Sequence, residues 1–220
     1  MEQRLPKYQK IDMTTWSRRE HFNYYRNTVK CGYSLTSRVD VTQTVAYSRK
    51  KEKRFYACFI YAAAKAVNDL DSMKMMITPD EGAGIWEISH PNFTVFHKDD
   101  KTFSDLWTEY KTDFDDFYEE FERVITVYGD KHGIKGRPEQ PANFFCISCV
   151  PWLDFTAHST YSTEGMALFP IITFGKYTEN NGHFTLPVTV SISHAAADGY
   201  HTSLFFQKLQ DNLDAYDLNQ

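Results

Sequence analysis

The chain has no apolar run approaching the roughly 20 residues that a membrane span requires. It also lacks an excess of basic charge: 24 lysines and arginines face 29 acids, for a formal net charge of −5. A nucleic-acid binder would show a basic face, so neither nucleic acid nor membrane is an expected partner. The N-terminal stretch MEQRLPKYQKIDMTTW has no apolar core and no small-residue cleavage site. It does not read as a signal peptide, and a cytoplasmic protein is expected. Internal repeats, low-complexity tracts and Gly/Ser/Pro-rich linkers are absent, so residues 1–220 are expected to form one domain. No glycine-rich phosphate loop occurs. Cysteine is scarce, at positions 31, 58, 146 and 149, which fits a reducing compartment. The last two form a lone C-x-x-C inside the apolar stretch NFFCISCVPW. Residues three apart on a strand face opposite sides, so these thiols are expected to be structural.

What is present is apolar and aromatic. Hydrophobic residues make up 42% and aromatics 16%, enough to bury a substantial core. Helices are predicted over TTWSRREHFNYYRN, where Ser17 and Glu20 fit a capping box, and over RFYACFIYAAAKAVNDL. A third is predicted over TFSDLWTEYKTDFDDFYEEFERVITVYG, whose apolar residues from Phe103 to Val124 recur at three-four spacing and which Gly129 should stop. A fourth covers GYHTSLFFQKLQDNLDAY. Strands are predicted in SRVDVTQTVAY, GIWEISH, NFTVFH, NFFCISCVPW, LFPIITFGKY and, most clearly, HFTLPVTVSIS. In the last, Phe184, Leu186, Val188, Val190 and Ile192 share one face, with threonines and serines on the other. Residues 128–143 read as a long surface loop. Interspersed helices and strands make the class mixed α/β or α+β.

The stretch after that strand, SHAAADGYH (193–201), poses a chemical question. Continuing the alternation places His194 in phase with the apolar face, at the strand's C-terminal end. Three alanines then permit close approach of another backbone or a substrate, and Gly199 permits a turn with φ > 0. His194 can be a satisfied core histidine. It can also be a general base, since imidazole is the side chain suited to take a proton near neutral pH. A metal-ligand reading needs His194, Asp198 and His201 on one helical face. That conflicts with the strand phase and puts Gly199 in mid-helix, so no metal is expected.

SHAAADGYH resembles the His-x-x-x-Asp-Gly signature of the chloramphenicol acetyltransferase family. WSRREHF (16–22), CGYSLTSRVDVT (31–42), RFYACFIY (54–61), FTVFHKDDKTFSDLW (93–107), ISCVPW (147–152) and PIITFGKY (170–177) follow the family's order and spacing. The resemblance spans nearly the whole chain. It implies the CoA-dependent acyltransferase fold, a two-layer mixed β-sheet sandwich covered by helices. It also implies direct transfer of acetyl from acetyl-CoA to an antibiotic hydroxyl, conferring resistance. His194 matches the general base and Ser148 the oxyanion hydrogen-bond donor. Asp198 matches a residue that pairs with the first-helix arginine, here Arg18. Thr173 matches a threonine that holds an ordered water. The acceptor slot would use Tyr25, Val29, Cys31, Thr94 and Phe103, and acetyl-CoA would lie against Arg54, Tyr56, Trp152, Lys176 and Tyr177. The two routes would converge on His194, in a homotrimer with each site between subunits.

The chain departs from the family in the acceptor region. LDFTAHSTYSTEGMALF places His158, Thr160 and Ser162 where apolar residues are usual, unless Tyr161 or Met166 fills the slot. Ser193 stands where a second histidine is common, and Cys146 where asparagine is frequent. Two alternatives follow: the same chemistry on another hydroxyl compound, or an inactive homologue that only binds a small molecule.

Overall fold

A computed structural model describes residues 5–216, apart from 161, 163 and 164. The alternating run at 183–193 becomes strand β10 (His183–Ser193), the axis of a seven-stranded mixed sheet. On one side β10 pairs antiparallel with β2 (Gly32–Asp40), in continuous register from Thr185↔Asp40 to Ser193↔Gly32. On the other side it pairs with β8 (Ile171–Gly175), and a short β9 (Thr178–Asn180) also joins it. Beyond β8 come β7 (Phe144–Val150) and β5 (His90–Phe96), both parallel, and then β6 (Phe103–Trp107), antiparallel to β5. A small separate sheet holds β1 (Tyr8–Lys10), β4 (Ala83–Trp86) and β3 (Met75–Ile77).

Both faces of β10 are buried from Leu186 to Ser193, so its polar face does not meet solvent as simple alternation suggests. The hydroxyls are matched across the ladder instead. Thr189 meets Thr36 and Ser191 meets Ser34, each at 2.7 Å between oxygens. A buried hydroxyl without a partner is costly; cross-strand pairing removes that cost.

Helices pack against this sheet. α2 (Thr42–Lys50) contacts β10, α3 (Phe55–Asn68) contacts β5, α4 (Phe114–Tyr128) contacts β6, and α5 (Gly199–Asp214) contacts β2. α3 is apolar on most sides, and Ala57–Ile60 and Ala62–Ala64 are fully buried at the centre of the core. The strand predicted at 37–47 stops at Asp40. Its carboxylate accepts from the Thr42 N–H at 2.7 Å and turns the chain into α2.

Two helical expectations need correction. Residues 103–107 are strand, not helix, and α4 begins only at Phe114. The apolar spacing through Phe103, Leu106 and Trp107 is satisfied by pairing with β5. The turn between them is made by Asp100, which accepts from Thr102, with Lys101 at φ +63. The helix starts where Asp113 accepts from the Asp115 and Asp116 N–H groups. The first helix is also shorter than predicted. α1 covers Arg19–Asn23 and passes into a π-helical turn, Tyr24–Thr28. Its N-cap is Arg18, with no side-chain cap, so Ser17 and Glu20 form no capping box. The preceding turn is organised by Asp12, which accepts from Thr14 and Thr15.

Asp113 satisfies two of the N–H groups that a helix start leaves open. Asp113→Ala is therefore expected to lower unfolding free energy by about 1 kcal/mol, with Asp113→Ser retaining most of it. Urea denaturation of the three chains measures this; equal midpoints would show the cap to be idle.

Candidate active site

The loop after β10 is built by three anchors. The Ser193 carbonyl accepts from the Ala196 and Ala197 N–H groups, and Ala195–Ala197 are completely buried. The three methyl-sized side chains admit protein core rather than a substrate. The His194 N–H donates to the Cys31 carbonyl at 3.0 Å, tying the loop to the start of β2. Asp198 then turns the chain. Its backbone is extended, and its Oδ1 accepts from the Tyr200 and His201 N–H groups to cap α5. Gly199, expected at φ > 0, lies instead in the helix's first turn with ordinary φ. The aspartate makes the bend, so the glycine need not.

Arg18 Nη1 donates to Asp198 Oδ2 at 2.5 Å, so the structure brings these two predicted partners together. His201, to which no role was assigned, occupies the other oxygen: its Nδ1 lies 2.7 Å from Asp198 Oδ1. Burial pushes the Asp198 carboxyl up, but hydrogen bonds from His201 and Arg18 outweigh it and hold the group at about 2.

His194 sits in the turn, half-buried. Its ring stacks on Tyr25 at 3.8 Å and 8°, and Tyr33 tilts against it at 5.2 Å. Nδ1 is buried without a partner among the described residues, leaving Nε2 as the nitrogen able to meet a substrate. Tyr33 was missed in the sequence; its pairing opposite Ile192, two residues before His194, is the signal that locates it. Cys31 lies beside His194, and Val29 follows the π turn with an exposed side chain.

Ser148 lies elsewhere. It lines a groove of about 1410 Å³ together with Arg54, Tyr56, Thr94, Phe103, Trp152, Lys176 and Tyr177. Every residue expected against acetyl-CoA is in this groove, and so are Thr94 and Phe103 from the expected acceptor set. Ser148 is half-buried, not buried, and its hydroxyl has no hydrogen-bond partner among the described residues. Thr173 is buried beside it on β8. Tyr56 donates its hydroxyl to the Thr94 carbonyl at 2.7 Å, and burial pushes its ionisation far up, so it is a neutral donor. Trp152 stands exposed at the rim, edge-on to Phe96. Arg54 Nε is 2.8 Å from Glu122. Gly175 is required here: a Cβ would lie 2.6 Å from the Leu153 carbonyl and 2.8 Å from Pro187. That close approach lets Lys176 N–H bond Leu153 and fixes one wall.

The expected convergence of both routes on His194 does not occur within one chain. Ser148, Thr173 and Thr189 are level across β7, β8 and β10. His194 lies five residues past Thr189, just beyond the end of β10, and two strands away, which at strand spacings is roughly 19 Å from Ser148. His194 is absent from the groove lining. Tyr25 and Cys31 belong with His194, Val29 lies on the chain between them, and Thr94 and Phe103 belong with Ser148.

Burial pushes the Cys146 thiol up to about 11 and Cys149 to about 12, as expected of structural thiols. At the groove rim Asp99, Asp100 and His132 gather within 4.8 Å the kind of atoms that ligate metals. Both ring nitrogens of His132 already face carboxylates, Asp100 at 2.7 Å and Asp99 at 3.4 Å. In the departing loop, His158 Nδ1 is buried without a partner among the described residues, and Tyr161 lies outside them. Met166 presses on Gly32, and the Ala167 carbonyl accepts from Ser193, so this loop borders His194.

A family profile described as chloramphenicol acetyltransferase matches residues 6–210. The chain belongs to the chloramphenicol acetyltransferase family. It is 35% identical over 202 residues to the chloramphenicol acetyltransferase of Vibrio anguillarum, covering 91% of this chain and 92% of that one. It is 36% identical over 205 residues to that of Clostridioides difficile, covering 93% and 95%. A solved chloramphenicol acetyltransferase matches with a TM-score of 0.83 at 25% identity, over 94% of this chain and all of that one. The dihydrolipoamide acetyltransferase of Azotobacter vinelandii shares the fold, with a TM-score of 0.64 at 16% identity over 89% and 86%. The acyltransferase fold expected from the resemblance is therefore the one observed.

Asp198 stabilises the folded chain through a depressed ionisation. That stability is complete above the ordinary carboxyl value of 3.8 and is lost as pH falls through about 2. Asp198→Asn, which keeps a helix cap, is expected to be less stable than wild type at neutral pH, with the gap closing between about pH 4 and 2. Denaturant midpoints at several pH values measure it; a constant gap would mean the ionised clamp contributes nothing.

Proposed function

We propose that this chain is an acetyl-CoA-dependent O-acetyltransferase acting on chloramphenicol and thereby conferring resistance. The observation that carries this reading is the joint presence, in a chain matched to the family over residues 6–210, of two elements: an ion-paired loop presenting His194, and a groove presenting Ser148 between aromatics and cations. The groove exceeds the roughly 300–1,000 Å³ of ordinary small-molecule pockets and suits an extended thioester with a phosphorylated end. Arg54, Lys98 and Lys176 line it for the anionic part, and Tyr56, Trp152 and Tyr177 for the rest. Acetyl-CoA supplies the activated acetyl group.

In this reading His194 Nε2 accepts the proton of the acceptor hydroxyl as that oxygen bonds to the thioester carbonyl carbon. Ser148 donates to the oxygen that becomes negative, an interaction worth roughly 3 kcal/mol of barrier. When the carbon–sulfur bond breaks, the imidazolium returns its proton to the thiolate. Tyr25 holds the imidazole plane by stacking. Arg18 and Asp198 position the loop, and Thr173 holds a water beside Ser148.

His194 and Ser148 lie too far apart in one chain to touch the same carbonyl. The reading therefore includes a composite site: His194, Tyr25 and Cys31 from one subunit face Ser148, Thr94 and Phe103 of its neighbour, in a homotrimer. Exposed Val29 and Phe103, on the two respective faces, are the apolar surfaces such a joint would cover.

A second acceptor is favoured by His158, whose buried Nδ1 seeks a partner in the loop bordering His194. The same chemistry would then serve a more polar hydroxyl compound. Thiol release from acetyl-CoA decides: dependence on chloramphenicol supports the first reading, dependence on another hydroxyl compound alone supports the second, and no release with any acceptor removes both.

His194→Ala is expected to lower kcat by about 10²–10⁴ or more while both substrates still bind by calorimetry. A variant keeping a tenth of the activity would remove His194 from the reaction. Inactive His194→Ala and Ser148→Ala chains, unfolded and refolded together, are expected to regain about a quarter of wild-type activity, because each intact half meets the other at random. No recovery would place both groups in one chain's site.

A further inference from the structure

The second histidine of SHAAADGYH has no part in the chemistry described above. We propose that His201 is a positioning residue: with Arg18 it clamps Asp198 from both sides and so sets the loop that carries His194. The inference rests on the acetyl-transfer reading of that loop.

The clamp is asymmetric. Arg18 reaches Asp198 through Nη1 alone, while its Nε and Nη2 are buried without partners among the described residues. A guanidinium gripping a carboxylate with both arms fixes its plane. One arm fixes a distance and leaves the carboxylate free to swivel. The swivel is limited on the other oxygen, where the two cap N–H groups donate at 3.1 and 3.4 Å and His201 Nδ1 makes the shortest contact, 2.7 Å from Oδ1. An ionised carboxylate only accepts, so His201 must carry a proton on Nδ1.

No other side chain in the loop can replace this grip. Ala195, Ala196 and Ala197 have no polar side-chain atoms. Between the Ser193 bonds upstream and Asp198 downstream, the position of His194 is held, among the described residues, by its own N–H to Cys31 and by ring contacts. One of those rings closes the circuit. Tyr33 hydrogen-bonds Thr202, the neighbour of His201, at 2.6 Å, and tilts against His194. The first turn of α5 thus reaches the imidazole by two lines, one through Asp198 and one through Tyr33, and His201 lies where they meet.

Capping α5 does not require the His201 side chain, because Asp198 caps through backbone N–H groups. Positioning and packing can therefore be separated. His201→Phe keeps a ring and loses the donor, while His201→Asn keeps an N–H close to the place of Nδ1. Misplacing a reacting group by about 1 Å can cost about 100-fold. His201→Phe is expected to lose about 10- to 100-fold in kcat, with KM for both substrates within about twofold of wild type. His201→Asn should stay within about threefold in kcat. In an Asp198→Ala background, His201→Phe should add less than about twofold, since the carboxylate it donates to is gone. Should the phenylalanine chain not fold, His201→Leu serves in its place.

A lowered melting temperature with kcat intact would make His201 a packing residue and overturn the proposal. So would equal losses in the asparagine and phenylalanine chains. The His194 Cε1 proton signal, displaced by the Tyr25 ring face, reports placement without turnover. It should move in His201→Phe and stay in His201→Asn. If wild type releases no thiol with any acceptor but this signal behaves as stated, the transfer reading fails and the clamp stands. If the signal is unmoved in His201→Phe, the clamp fails whatever the turnover.

Discussion

Strand β10 is the constraint on which the rest depends. Its backbone is paired on both edges, and both its faces are buried. Such a strand tolerates no slip in register, because a shift of one residue would set Thr189 and Ser191 against the apolar core and Val190 against the hydroxyls of β2. In the observed register the pairs with Thr36 and Ser34 leave the hydroxyls of Thr189 and Ser191 satisfied. The end point of the strand is thereby fixed, and with it the place where His194 leaves the sheet.

How much of this was legible from the residues depended on whether the signal was local. The alternation of HFTLPVTVSIS, the alanine-rich α3 and the Asp198–Arg18 pairing, which the family resemblance implied, are observed. The segment at 103–107 was not legible. Its apolar spacing suits a helix, and only pairing with β5, whose geometry is tertiary, selects the strand. Gly199 was given the bend that Asp198 makes, because an aspartate can both turn and cap while a glycine only permits. His201 was visible three residues after Asp198, a spacing at which helical side chains meet, yet it takes the structure to show which oxygen it holds. The distance between Ser148 and His194 follows only from counting strands and register together.

That distance gives the sheet a particular economy. The groove wall is built from contacts of moderate sequence separation: Gly175 admitting Leu153, Tyr56 bonding Thr94, Trp152 resting on Phe96. The imidazole is held by long-range ones, with Arg18 meeting Asp198 across 180 residues and Tyr33 meeting Thr202 across 169. The two halves of the proposed chemistry therefore share a sheet but not a support, and a change in one wall need not disturb the other.

Residues 18 and 31 both end on the loop after β10, one through Asp198 and one through the His194 N–H. The chain between them, with its π turn and Tyr25, is thus a tether closed at both ends. Once either end is fastened, the other attaches at the high effective concentration of a short intramolecular link. The two fastenings support one another in proportion to how briefly the free end can wander. Cutting one leaves Tyr25 still carried near the imidazole by the other. The stacking that orients His194 is in this sense redundantly moored, although the ring contact itself is single.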